Sequence, residues 1–389
     1  MSSDDQIIYL DNNSSTRIDP EVLEEMMPFL TERYGNPSSA HRFGAQVKDA
    51  TKLAHERVAA LLGCQPNEIV FTSGGTESDN TALHSALQMT PNRRHIVTTS
   101  VEHNAVLNFC QTAGKRGCEV TIVEVDGDGH LDLAEIERAI RPDTAVVSVM
   151  WANNETGVIF PLEEIAAICR AKGVVFHTDA VQAVGKMPID LSRQSFQFLS
   201  LSGHKLHASK GVGALFVNRN SKFHPMVIGG PQEGGRRAGT DNVASIVGLG
   251  KAAELAAATL DVENTRVRAL RDRFESTILA QVEDVAVNGD PGARLPNTSN
   301  LAFSGVDAQA ILIKLDQELV CCSLGSSCTT GAVEPSHVLR AMHLTNERAR
   351  SSLRFSFGRY NTEAELERVL EIIPRIIRKL RQLSPAIAL

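Results

Sequence analysis

The apolar run Gly173-Val174-Val175-Phe176 leads into His177-Thr178-Asp179, and a second run, Phe198-Leu199-Ser200, leads into Leu201-Ser202-Gly203-His204-Lys205. The first run reads as a buried parallel strand, and open α/β sheets place their ligands at the carboxyl ends of such strands. An acid and an amine at neighbouring strand ends suit one cofactor chemistry in particular. Pyridoxal phosphate needs a lysine to hold its aldehyde as a Schiff base and a carboxylate to keep its pyridine nitrogen cationic. Lys205 and Asp179 supply the two groups. Taken singly, each reads as a surface lysine or an acid at a strand end, so the assignment rests on the segments around them.

The first of these is Thr72-Ser73-Gly74-Gly75-Thr76-Glu77-Ser78, which follows a strand and opens a helical pattern near Thr76. Paired glycines let backbone approach an anion, the first amides of the helix point at it, and Thr76 adds a hydroxyl. Gly75 and Thr76 are therefore candidate phosphate contacts, with Ser202 and His204 beside the lysine. His103, in Val101-Glu102-His103-Asn104, follows another strand and is placed to stack on an aromatic cofactor ring and to move protons near neutrality. A histidine there also suits a helix N-cap. Asn154, in Asn153-Asn154-Glu155-Thr156-Gly157, and Gln182 offer amides from two further loops, where turn chemistry is the ordinary alternative.

The later chain adds a thiol and a guanidinium. Ser323-Leu324-Gly325-Ser326-Ser327-Cys328-Thr329-Thr330-Gly331 lacks periodicity and reads as a loop, which makes Cys328 a candidate nucleophile rather than a core thiol. Arg354, in Leu353-Arg354-Phe355-Ser356, lies on an alternating strand and is placed to clamp a carboxylate through paired hydrogen bonds. A structural ion pair is the alternative, and it suits Arg359 better than Arg354. Of the other cysteines, Cys169 reads as a buried small hydrophobe. Cys321, Cys322 and Cys328 match none of the usual iron–sulfur spacings, and no metal site is expected.

Positioning these groups requires a large sheet. Short β-branched runs at Glu68–Phe71, His95–Thr98, Val120–Val123, Ala145–Val149, Val174–Phe176, Phe198–Ser200 and Ala214–Val217 alternate with helical patterns, the signature of βαβ units around a mostly parallel seven-stranded sheet. Beyond Gly250 the texture changes to helical stretches at Glu254–Glu283 and Thr362–Leu383 around strands at Ser299–Phe303 and Leu353–Ser356. That is an α+β pattern. The expected division is a large cofactor domain over 13–259 and a smaller domain over 260–389 that takes in residues 1–12 and carries the cysteine loop. The 389-residue length agrees with two domains. A net charge of −7 gives no basic footprint for nucleic acid. No apolar stretch approaches the ~20 residues of a membrane span, and the acidic start, Met1-Ser2-Ser3-Asp4-Asp5, lacks signal-peptide character. A soluble, cytoplasmic enzyme is expected.

Together these motifs, with Leu10-Asp11-Asn12-Asn13, Tyr34-Gly35-Asn36-Pro37, Gly235-Arg236-Arg237-Ala238-Gly239-Thr240 and Glu334-Pro335-Ser336-His337-Val338, resemble the class I cysteine desulfurases, of the nitrogenase-associated and iron–sulfur-cluster types. These are fold-type I pyridoxal phosphate enzymes. The resemblance covers nearly the whole chain. It implies Lys205 as the cofactor lysine, Asp179 as the ring-nitrogen partner and His103 as the stacking acid/base. Asn154 and Gln182 become ring contacts, and Gly75, Thr76, Ser202 and His204 phosphate ligands. Arg354, with Asn154, would bind substrate, and Cys328 would carry the persulfide. It also implies a homodimer in which Thr240 reaches the phosphate of the neighbouring subunit. The chain departs from the family pattern at Leu324, Ser327 and Gly234, none of which alters the thiol.

The activity implied is conversion of L-cysteine to L-alanine with sulfur passed to a protein acceptor such as an iron–sulfur scaffold. Another pyridoxal phosphate lyase or aminotransferase of the same fold would keep Lys205 and Asp179 but would not need Cys328. A non-enzymatic iron scaffold is the third reading.

Overall fold

The computed structural model describes residues 7–324 and 335–383. Cys328 and Glu334 lie outside the described residues. In chain order the strands are β1 (Ile8–Tyr9), β2 (Ile69–Thr72), β3 (His95–Thr99), β4 (Glu119–Val123), β5 (Thr144–Ser148), β6 (Val175–Asp179), β7 (Phe198–Ser202), β8 (Gly213–Val217), β9 (Val285–Val287), β10 (Thr298–Phe303), β11 (Val320–Cys321) and β12 (Ser352–Ser356). Seven of them form one sheet in the order β2-β8-β7-β6-β5-β3-β4. Only β8 runs antiparallel to its neighbours.

Every residue of β3, β5, β6, β7 and β8 is buried, as continuous apolar runs covered on both faces require. The edge strand β4 instead exposes Glu119 and Ile122. The expected mixed α/β class and all seven expected strands are present. The runs at β1, β9 and β11 are too short to stand out as strands in the sequence. β1 pairs with β11 in parallel, and β9 completes a three-stranded sheet in the order β12-β10-β9.

The helical stretch expected over 254–283 is broken. One helix ends at Ala258, a π-helical turn spans Glu263–Val267, and a further helix runs from Arg268 to Gln281. Polar side chains explain the break. Thr259 Oγ1, Asn264 Nδ2 and Thr265 Oγ1 each donate to the carbonyl four residues back, at 2.8, 2.9 and 2.6 Å, in competition with the backbone ladder.

One large core packs the seven-stranded sheet against its helices, and a second gathers Ile8 and Leu10 with residues from Val267 to Ile377. Val338, Leu339, Met342 and Ala349 pack into the first core although they come late in the chain. Between the cores runs the segment Asp11–Thr16, which meets the carboxyl ends of the large sheet on one side and β12 on the other. Asn13 N donates to the Ser356 hydroxyl oxygen at 2.9 Å, and the Asn13 side-chain amide donates to Thr298 Oγ1 at 2.8 Å.

Candidate active site

Lys205 closes a single 3-10 turn, Gly203–Lys205, directly after β7. Its Nζ donates to the carbonyls of Asn13 (2.6 Å) and Ser14 (2.5 Å). No carboxylate pairs with it among the described residues. Burial therefore pushes its pKa down to about 7, helped by the charges of Lys186 and Arg354 and opposed by Asp11 and Asp179.

Asp179 ends β6 and is 5% exposed. Its Oδ1 accepts from Val181 N at 2.9 Å. Burial first, and the carboxylate of Asp79 second, raise its proton affinity, while His103 and the Val181 amide oppose them. Among the described residues the acid stands buried without a cationic partner of its own, a state that costs several kcal/mol unless something neutralises it. A protonated pyridine nitrogen is such a partner.

His103 is the N-cap of the helix Asn104–Lys115, with Nδ1 accepting from Ala105 N at 3.1 Å. The cap fixes the ring and leaves Nε2 as the free position. The N-cap expectation and a place beside the crevice thus hold together. His103 and Thr76 line one end of a cavity of about 830 Å³ between the helices Gly75–Met89 and Asn104–Lys115.

The turn after β2 is shaped for close approach. Gly74 has φ +154, and a Cβ on Gly213 would lie 2.7 Å from the Gly74 backbone. A Cβ on Gly75 would fall 3.5 Å from the Ser202 side chain, so the helix start, Gly75 and Ser202 are neighbours. His204 reaches Ser15 Oγ at 3.3 Å, and burial, joined by Lys205 and Lys210, lowers its pKa to about 4. It is neutral at neutral pH and able to donate one hydrogen bond. Glu77, in the first turn of the same helix, is matched by Arg237 Nε at 2.9 Å.

Gln182 Nε2 donates to the Asn13 carbonyl at 2.9 Å. Asn154 contributes its carbonyl to Arg354 Nη1 at 2.9 Å. Arg354 is 4% exposed and also holds Asp11 Oδ1 at 2.7 Å. Both arginines of the segment are therefore ion-paired, since Arg359 Nη2 holds Asp19 Oδ2 at 2.5 Å. Strand alternation does not separate them because β12 stops at Ser356. Thr240 is exposed and lines a separate cavity of about 230 Å³ with Tyr34 and Asn36, away from Lys205 of its own chain.

Beneath these residues lies a buried layer that sequence reading did not identify. His177 Nδ1 meets Ser148 Oγ at 2.8 Å, and its Nε2 meets Ser200 Oγ at 3.0 Å and Asp79 Oδ1 at 3.5 Å. Glu102 Oε1 accepts from Thr99 Oγ1 and Met150 N, both at 2.8 Å, and burial drives its carboxyl toward the protonated form. One signal was available. Asp79 stands three and four residues before Ala82 and Leu83, on the apolar stripe of its helix.

The residues present fit pyridoxal phosphate. Gly74 leaves open space beside Ser202 at the helix start, Asp179 has no ion-pair partner among the described residues, and burial lowers the Lys205 amine to about 7. Among the described residues, Thr178 Oγ1, next to Asp179 on β6, and Ser100 Oγ, just past β3, are buried without hydrogen-bond partners. Residues 8–369 match the aminotransferase class-V family. A cysteine desulfurase of Trichormus azollae is 53% identical over 379 residues, 97% of this chain and 95% of that protein. The cysteine desulfurase NifS of Azotobacter vinelandii is 52% identical over 97% of this chain and 94% of its own. A solved NifS-like protein superposes with a TM-score of 0.91 at 36% identity, covering 96% of this chain and all of the other. With a cradle, an acid and an amine that fit the cofactor, and relatives matched end to end, the chain belongs to the class-V aminotransferases and, among them, to the pyridoxal-phosphate-dependent cysteine desulfurases.

Proposed function

We propose that this chain releases L-alanine from L-cysteine while Cys328 takes up the sulfur as a persulfide, which is then passed to a protein acceptor such as an iron–sulfur scaffold. The observation that carries the reading is the pairing, among the described residues, of an amine with no carboxylate partner, Lys205, and an acid with no ion-pair partner, Asp179, at adjacent strand ends.

When bound, pyridoxal phosphate supplies an electron sink for negative charge at the substrate α-carbon. Lys205 Nζ would hold the cofactor through its aldehyde, and the free amine, lowered to about 7, would be suited to move the substrate α-proton. Asp179 keeps a proton on the ring nitrogen. His103, capping its helix through Nδ1, would face the ring, and Asn154 and Gln182 would lie along its edge. Gly75, Thr76, Ser202 and His204 hold the phosphate, with Thr240 reaching across from a second copy in a homodimer. Arg354 turns its guanidinium to the substrate carboxylate. The Cys328 thiolate attacks the substrate sulfur, so that an S–S bond forms as the C–S bond breaks. The electron pair of that bond, with a proton, ends in the methyl group of alanine, and no outside oxidant is required. In this reading the smaller domain, over 260–389 with 1–12, contributes Arg354 to the crevice of the cofactor domain over 13–259.

Incubation with L-cysteine, assayed for alanine and sulfide with mass spectrometric mapping of the persulfide, tests the reading. Alanine, sulfide and a persulfide on Cys328 are expected, and Cys328→Ala should reduce sulfide to background while keeping the cofactor. Cys321→Ala and Cys322→Ala should keep most activity. Parent-rate alanine and sulfide from Cys328→Ala would place the nucleophile elsewhere. Pyruvate as the product would make the chain a lyase.

A further inference from the structure

A second lysine sits against the first. Lys186 is 6% exposed, and its Nζ donates to Gln182 Oε1 and to the Gln182 carbonyl, both at 3.2 Å. An ammonium donates and never accepts, so this contact fixes which end of the Gln182 amide faces which way. Oε1 is turned to Lys186, and Nε2 is left to donate to the Asn13 carbonyl at 2.9 Å. That same carbonyl accepts from Lys205 Nζ at 2.6 Å. The two lysines are therefore joined through one amide and one carbonyl oxygen.

Lys186 is itself held in place. Asn264, in the π-helical turn, donates from Nδ2 to the Lys186 carbonyl at 3.0 Å. Glu263, from the same turn, shares with Lys186, Lys205, His207 and Arg359 the lining of a cavity of about 20 Å³, room for a single water. Single π turns inside helices collect at functional sites, and this one supplies the amide that holds the Lys186 carbonyl and an acid that lines the same small cavity.

We infer that Lys186 is a positioning residue for Lys205, acting through the orientation of the Gln182 amide and through its own buried charge. The inference rests on Lys205 being the cofactor lysine. The charged groups around Lys205 are Lys186 and Arg354, which disfavour its protonation, and Asp11 and Asp179, which favour it, with His204 close by. Around Lys186 they are Glu263, which favours its charge, and Arg354, which opposes it. Among the described residues, Lys186 is thus the cation that weighs most on Lys205 and is in no ion pair, and Gln182 with Asn13 transmits its position.

The experiment uses the full chain, first with cofactor and then freed of it. Borohydride reduction of the holoenzyme and peptide mapping should label Lys205. A label on Lys186 or another lysine would overturn the Lys205 assignment itself. In the cofactor-free chain, the pH midpoint for acylation of Lys205 by a small amine reagent should rise by about one unit in Lys186→Met and return toward the parent value in Lys186→Arg. Lys186→Gln, which keeps a donor to Gln182 Oε1 without charge, should show the same rise and provides the test if the methionine variant does not fold. A label on Lys205 with an unmoved midpoint in a folded neutral variant would overturn the role of Lys186 alone.

Discussion

The two polar regions of this molecule are built from different chemistry. At the carboxyl ends of the large sheet, the buried groups are ionisable: Lys205, Lys186, Asp179, Asp79, Glu102 and His177, nearly all displaced from their ordinary proton affinities. Where the small sheet meets that crevice, a connected network of amides and hydroxyls is buried beside the paired ions Arg354–Asp11 and Arg294–Glu275. Asn288 donates to Asn300 Oδ1 and Ser352 Oγ, both at 2.8 Å, Asn300 donates to the Glu155 carbonyl at 3.1 Å, and Asn297 donates to Asn13 Oδ1 at 2.9 Å. Amides carry no titrating proton in the working range, so this seam holds its geometry at any moderate pH. The crevice is the opposite case, where burial without full pairing leaves groups poised to exchange protons. Evolved sites concentrate such displaced groups where chemistry occurs.

The comparison is broken most severely at Lys205. Lys205→Ala should lower turnover of L-cysteine by more than about 10²- to 10⁴-fold, the range of a lost general base, and remove the borohydride-fixed label. The melting temperature of the cofactor-free chain should not fall, because a poorly paired buried amine is removed. A large drop in melting temperature would make Lys205 part of the seam in kind.

Arg354 belongs to both regions, being on β12 with its guanidinium in the crevice. Loss of one charge-assisted contact to substrate in Arg354→Ala should cost about 1.5 to 3 kcal/mol, or roughly one to two decades in kcat/KM. Stability should fall as well, since Asp11 loses its partner at 2.7 Å. Bound cofactor, read from its visible absorption, should be retained.

In the seam the order reverses. Asn288→Ala leaves the Arg348 Nε donor (2.8 Å), Asn300 Oδ1 and Ser352 Oγ without their buried partner and should lower stability by about 1 to 3 kcal/mol. Turnover of the folded fraction should stay within about twofold, below what any lost charged contact would produce. A decade of lost kcat at unchanged melting temperature would abolish the distinction between the regions.

The smallest effect is on the surface, where His130 bonds Asp290 at 2.9 Å and sits 3.4 Å from Asp126. Asp290 first, then Asp126, raises the His130 pKa against partial burial. A raised histidine pKa stabilises the fold below the unfolded value of about 6.5 and ceases to do so as pH rises through the folded value. His130→Gln should therefore lower stability by a few tenths of a kcal/mol at about pH 5.5 and by nothing measurable at about pH 8.5, the histidine being 44% exposed and screened. Equal melting shifts at both pH values would remove the ion-pair explanation.

What could be read from the sequence follows the same division. The central strands were legible because burial on both faces writes an unbroken apolar run, and Lys205, Asp179 and His103 stand at or just beyond their ends. β1 and β11 were not legible, since a two-residue parallel bridge between distant segments leaves no local pattern. The buried layer of His177, Ser148, Ser200 and Asp79 escaped for a related reason. Each looks like an ordinary strand or helix residue until the sheet order makes β5, β6 and β7 neighbours. Lys186 was missed because its meaning depends on the π-helical turn, and the polar side chains that break the helix there give only a weak local signal.

The path of Asp11–Thr16 between the two cores has a consequence for the order of synthesis. Asn13, whose carbonyl receives both Lys205 and Gln182, precedes Ser356, which anchors its amide, by 343 residues. At roughly 5 to 20 residues per second, a ribosome delivers the second on the order of tens of seconds after the first. Through that interval the large sheet can assemble and hold Asn13 through Gln182 and Thr16 through His204, but the segment carrying the Asn13 carbonyl is tied on one side only, without its Ser356 anchor. Capture of the cofactor is on this geometry an event of the finished polypeptide, and chains truncated before β12 should emerge colourless however complete their sheet.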